Sequence, residues 1–238
     1  MPGGEIPLQG KDTEGPERGE TTERSKESEI KANLEFWRDL GIEIDEADVR
    51  EKVESLPEVE GFNWYFYMPK GITASQLISE MRKIFRFPVQ MSTDTPDPSL
   101  DIGDPDKFEM PRNASEKSYV VAARYQQEPD KESLGEENAK SSKDWESTKE
   151  TFFMTALERI VAEMRWYKET GSHLDLIGVT LTPGCRAANG EVPSFTFHQD
   201  RIYPEDDFLK NVYITSYGSG LRNPNLGVRR IVYKELES

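Results

Sequence analysis

Between Gly178 and Lys234 the chain reads GVTLTPGCRAANGEVPSFTFHQDRIYPEDDFLKNVYITSYGSGLRNPNLGVRRIVYK. β-Prone pieces of a few residues alternate there with Gly, Pro and Asn, which confines the stretch to short strands joined by tight turns. Strands are predicted over 176–182, 194–203, 211–215 and 228–233, and Asn189-Gly190 is the strongest hairpin-turn signal in the chain. A sheet-forming C-terminal region is the first constraint on the fold.

The chain ahead of it mixes helices and strands. Residues 1–28 hold almost nothing to bury, so they are expected to form a disordered polar tail. Ile30, Leu34, Trp37 and Leu40 recur at helical spacing, and Asp45 is an N-cap candidate for a second helix with Val49, Val53 and Leu56 on one stripe. FNWYFYM at 62–68 is an aromatic strand, and Thr73 with Gln76 forms a capping box for a helix burying Leu77, Ile78, Met81, Ile84 and Phe85. Phe87, Val89 and Met91 alternate as a short strand, and SYVVAARY at 118–125 reads as a buried one. Residues 126–143 are polar and expected to be flexible. Ser147 to Glu150 is a second capping box, predicted to open the longest helix, with Phe152, Phe153, Ala156, Leu157, Ile160, Val161, Met164 and Tyr167 on its broad face. The expected class is α+β: an N-terminal strand-helix unit and a long helix packed with a mainly antiparallel C-terminal sheet region. The expected division is a tail at 1–28, an α/β region at 29–140 and a β-rich ligand-binding region at 141–238.

Charge and cysteine content narrow the function classes. The 238 residues carry a formal net charge of -15, which works against nonspecific contact with nucleic acid or anionic membrane. No apolar run is long enough to span a bilayer, and the amino terminus lacks the basic-then-apolar pattern of a signal peptide. Cys185 is the single cysteine, so no intrachain disulfide can form, and a reducing cytoplasm is the simplest placement.

Reactive side chains are few. Cys185 would need an imidazole or a positive field to become a thiolate, and a buried structural thiol is the simpler account. His173-Leu174-Asp175 and His198-Gln199-Asp200 share a spacing that, in a strand, sets a histidine beside an orienting carboxylate. With two histidines and no third ligand at recognisable spacing, neither a metal site nor another cofactor is expected. Asp94, Asp97, Asp101, Asp104 and Asp106 crowd one loop where calcium could sit, but the EF-hand pattern fails, so a solvated acidic loop is the expectation. Gly218-Ser219-Gly220 lacks nucleophile-elbow spacing. Arg222, Arg229 and Arg230 make a basic cluster, for which pairing with carboxylates is the default.

What remains is a display surface. Phe195, Phe197, Tyr203, Phe208, Tyr213, Tyr217, Tyr233 and Trp145 exceed what alternating strands can bury on one face. Tyr interleaved with Ser, Gly and Asn is the composition of adaptable binding loops. The competing expectation is a sheet whose second face the long helix covers.

Two resemblances bear on this. The segments FNWYFYMPKGITASQLISEM, SYVVAARY and ETGSHLDLIGVTLTPGCRAANGEVPSF together resemble phrases in an uncharacterised protein family of small-genome bacteria. The ending Leu221-Arg222-Asn223-Pro224-Asn225-Leu226-Gly227-Val228-Arg229 is similar to the close of C-type lectin-like domains, as in formylglycine-generating enzymes and the variable proteins of diversity-generating retroelements. The Gly-Gly-Ser-Trp entry of such domains is replaced by Val192-Pro193-Ser194-Phe195, and the paired cysteines of formylglycine-generating enzymes are missing, so their oxidase chemistry does not transfer. The second resemblance implies a rigid scaffold whose last segment carries variable surface positions: Tyr213, Ser216, Tyr217, Ser219, Arg222, Asn223 and Asn225.

The expected function is therefore non-catalytic binding of a protein or glycan, through those residues together with Phe197 and His198. The alternative is a small hydrolase or transferase using Cys185 or a His-Asp pair.

Overall fold

The computed structural model describes residues 24–86, 88–92, 101–112, 114–148, 151–199 and 210–234. They form a mixed α+β protein with five α-helices and two mostly antiparallel sheets. The first sheet contains β1 (Trp64–Met68), β3 (Tyr119–Ala123), β4 (Phe152–Phe153) and β9 (Arg230–Tyr233) in the order β1-β3-β9-β4, every pair antiparallel. The second contains β2 (Val89–Met91), β5 (Val179–Leu181), β6 (Val192–Gln199), β7 (Lys210–Tyr217) and β8 (Leu226–Val228) in the order β2-β7-β6-β5-β8. Its β6-β7 ladder is antiparallel over eight residue pairs, whereas β2 and β8 join in parallel. Because β4 and β9 share a sheet with β1 and β3, the boundary expected at residue 140 runs through that sheet.

Helix α5 (Ala156–Thr170) lies between the sheets, packing on β1 from one side and β6 from the other. Residues Ala156 to Trp166 are all buried, including four charged ones, so this helix has no solvent face along most of its length. Helix α3 (Ala74–Ile84) packs beside it, opened by the expected capping box of Thr73 and Gln76. The box expected at Ser147 to Glu150 opens no helix. Ser147 ends the short α4 (Ser142–Glu146), Phe152 and Phe153 pair with β9, and α5 begins at a second box, Thr155 with Glu158. Two aromatic residues suit a strand as well as a helix face, and here pairing with β9 decides.

Helices α1 (Lys26–Asp39) and α2 (Glu46–Ser55) complete the N-terminal part. Glu29, Asn33 and Trp37, four residues apart on α1, reach the open edge of β1. Tyr65 N–H donates to Glu29 and Tyr67 N–H to Asn33 Oδ1, at 3.1 and 2.9 Å. In return Asn33 Nδ2 and Trp37 Nε1 donate to the carbonyls of Tyr65 and Tyr67, each at 2.9 Å. A helix thus satisfies with side chains the edge groups that another strand would otherwise pair. Residues 24–28, expected in the tail, are structured: Ser25 caps α1 and Arg24 pairs with Glu29 and Glu169. The segment expected to be flexible at 126–143 is built too, from two single-turn 3-10 helices and the start of α4 against β8.

Candidate functional site

The two faces of the second sheet have different neighbours. Phe195 and Phe197 on β6 pair with Ile214 and Val212 on β7, and all four are buried in the main core. The opposite face is covered in part by a smaller cluster of Trp145, Phe153, Leu181, Val192, Leu226 and Val228. The expected display of Phe197 is therefore wrong. Its ring stacks on His173 with centroids 4.2 Å apart, and strand alternation puts it on the core face. Phe195 and Trp145 are buried likewise. His198 stands opposite Asn211 at the end of the ladder, with its side chain outside the described set, as are Asp200, Tyr203 and Phe208.

The other seven expected residues stay at least partly open to solvent. Tyr213 and Tyr217 are half-buried, and Tyr217 packs on the smaller cluster opposite Val192. Ser216 Oγ donates to Glu191 at 2.5 Å and accepts from Asn189 Nδ2 at 3.2 Å, next to the turn that Asn189-Gly190 does form. Beyond β7 the loop 218–225 is tied down along its length. Lys143 N–H donates to the carbonyl of Ser219, Gly135 N–H to that of Pro224 and Val179 N–H to that of Asn225, at 3.2, 2.8 and 2.9 Å. Arg222 pairs with Asp144 at 2.9 Å, and Asn223 Oδ1 accepts the Asn225 N–H at 2.9 Å. Leu221 and the Arg222 side chain remain 42% and 64% exposed. The result is a fixed backbone presenting outward side chains.

The ending Leu226-Gly227-Val228-Arg229 follows at once and is buried throughout. A Cβ at Gly227 would stand 2.7 Å from Pro129 Cβ and 2.7 Å from Ser133 Oγ, so only glycine lets the 129–134 segment close over β8. Arg229 enters a buried charge network. Asp175 accepts from Arg159 at 2.7 Å, from Arg229 at 2.6 Å and from Thr180 at 2.6 Å, while Arg159 also pairs with Glu163 at 2.8 Å. Two guanidiniums and two carboxylates balance here, which is what allows burial of the charges. Asp175 is the one described non-glycine residue in the left-handed region, at φ 56°. Its burial works against the charged form, but Arg159, Arg229 and Thr180 outweigh that and hold the carboxyl below its ordinary value.

This network dissolves the first His-Asp pair. The 173–175 segment is not a strand, and the two side chains go to different partners: His173 Nδ1 lies 2.8 Å from Glu163, and Asp175 meets the arginines. Cys185 is fully buried, and that burial pushes its thiol up to about 12, so it carries no thiolate at neutral pH. Among the described residues no three His, Cys, Asp or Glu side chains cluster to hold a metal. In the acidic loop, Asp101, Asp104 and Asp106 accept backbone N–H groups of Gly103, Asp106 and Ser75, while Asp94 and Asp97 lie outside the described residues. The basic cluster follows its default: Arg229 pairs with Asp175, and Arg230 with Asp130 and Glu132. No described helix is long and apolar enough to cross a membrane.

Sequence reading missed the two features that depend on long-range proximity, the buried network and a lysine-lined cleft beside the end of α2. No protein-family model, curated protein or solved structure matches this chain.

Proposed function

We propose that the protein is a non-catalytic recognition module that binds a protein or glycan surface through the end of β7 and the 218–225 loop. The observation that carries this reading is the loop itself. Three backbone carbonyls and the Arg222–Asp144 pair fix it, yet Leu221, Arg222 and Asn225 point to solvent. A preorganised loop loses little entropy on binding, and an exposed Leu and Arg amid Ser, Asn and Tyr provide both apolar and adaptable polar contact. The inert thiol and the diverted His-Asp pair weaken the hydrolase alternative. The C-type lectin-like resemblance, and with it diversification of the loop, belongs to this proposal. It is supported by the division of labour at the ending, where buried residues 226–229 hold the scaffold and the preceding seven face outward or half outward.

Glycan and protein arrays probed with the full chain and with the Leu221→Ala/Arg222→Ala/Asn225→Ala variant test the reading. Ligands retained by the parent and lost by an equally stable variant are expected. Absence of any ligand, or equal retention by both, would refute it. Comparing the gene across individuals of one population tests diversification, which predicts substitutions concentrated in codons 213–225.

A further inference from the structure

We propose that the cleft between the end of α2 and the adjoining ends of β3 and β9 binds a single tetrahedral oxyanion, either inorganic phosphate or the phosphoryl end of a larger molecule. This inference is independent of the recognition surface. The cleft encloses about 70 Å³ and is lined by Lys52, Ser55, Lys117, Ser118, Tyr233 and Lys234 among others. Space of that size holds a few waters, the scale of one phosphoryl group.

Three lysines from distant parts of a chain of net charge -15 converge on it. Their carboxylate partners do not follow. Lys117 and Lys234 are exposed and form no ion pair with a described residue. Lys52 pairs with Asp48 at 3.0 Å, but that carboxylate is saturated: Ser118 and Tyr67 also donate to it, at 2.7 and 2.5 Å. Asp48 therefore positions Lys52 and Ser118 rather than competing for Lys117 and Lys234.

The end of α2 would ordinarily repel an anion, because its last carbonyls carry the negative end of the helix dipole. Here they are occupied. Lys26 Nζ donates to the carbonyls of Glu54 and Leu56 at 3.1 and 2.7 Å, and Ser55 Oγ to that of Lys52 at 2.8 Å. Lys26, itself 4.0 Å from Glu58, thus covers these carbonyls from behind the wall. On the far side, the β3-β9 register pairs Val121 with Tyr233, which brings Lys234 against Val120 at the mouth. Ammonium donors around a pocket of this size suit phosphate.

Amide chemical shifts of the full chain, followed while inorganic phosphate is added at constant ionic strength, test the site. Saturable shifts at Lys117 to Val120 and at Lys234 are expected. Lys117→Gln/Lys234→Gln, which removes two of the ammonium donors, should weaken binding by at least about tenfold. Both side chains are exposed and without an ion pair among the described residues, so an unchanged thermal transition checks that folding is intact. N-acetyl phosphoserine amide forms the second arm. Tighter binding of that compound assigns the site to a phosphoryl group on a larger partner, and tighter binding of phosphate assigns it to the free ion. No saturation, an equal response to chloride, or undiminished affinity in the double variant would overturn the proposal.

Discussion

Replacing Asp175 with Asn removes one charge from the buried network while keeping the side chain's shape. Asn also tolerates the left-handed backbone at φ 56°, so backbone strain does not confound the comparison. Asp175 offers one oxygen to Arg229 and the other to Arg159 and Thr180. Asn has a single acceptor oxygen, and its NH2 must face one of the guanidiniums, donor against donor. Arg159 and Arg229 are then left with Glu163 as the remaining network carboxylate. Breaking one partner of a buried pair costs about 3–5 kcal/mol, against a total stability of about 5–15 kcal/mol. At roughly 2–4 °C per kcal/mol for a chain of this size, Tm should fall by roughly 6–20 °C. The dependence on pH has a definite sign. A folded-state pKa held below the ordinary 3.8 stabilises the fold above that pH, and the contribution is lost as pH falls towards the folded value. Urea unfolding at pH 7 and pH 3 should therefore show a large gap between parent and variant that narrows in acid. A gap under about 1 kcal/mol at pH 7, or one that does not narrow, would refute the charge-balance reasoning.

Other consequences are as direct. Cys185 should react with iodoacetamide at neutral pH only after denaturant opens the core, and fast alkylation of the folded chain would revive the nucleophile alternative. Asn33→Ala strips the Tyr67 N–H of its acceptor and uncovers the β1 edge, so light scattering should rise and stability drop by about 1–3 kcal/mol in urea unfolding. An unchanged urea midpoint would show that α1 is not what seals that edge. Gly227→Ala, which drives a methyl into Pro129 and Ser133, should cost about 1–3 kcal/mol, and a neutral effect would mean that the 129–134 segment yields freely.

Much of the local structure was legible because local chemistry specifies it. Thr73 with Gln76, Asp45 as a cap, the aromatic run of β1 and the Asn189-Gly190 turn each encode their element within a few residues. The start of α5 was not legible, because Ser147–Glu150 and Thr155–Glu158 offer the same capping signal and only the pairing of Phe152 with Ile231 chooses between them. Arg159 pairs with Glu163 within the helix, yet its second partner Asp175 lies beyond the helix end, so the burial of these charges is a tertiary fact. For the candidate site, surface positions at Arg222 and Asn225 were expected only through the C-type lectin-like resemblance, whereas Phe197 was misplaced because composition does not reveal which strand face meets α5. Lys52, Lys117 and Lys234 carry no shared pattern, since three separate elements bring them together.

The recognition claim is tested most directly by mapping the contact. Hydrogen exchange of the full chain should be compared with and without the tightest ligand that the arrays return. Protection concentrated at 213–225 is predicted, with α5 and the Cys185 segment unchanged. Protection elsewhere, with Ser219 to Asn225 exchanging as in the free chain, would contradict the account.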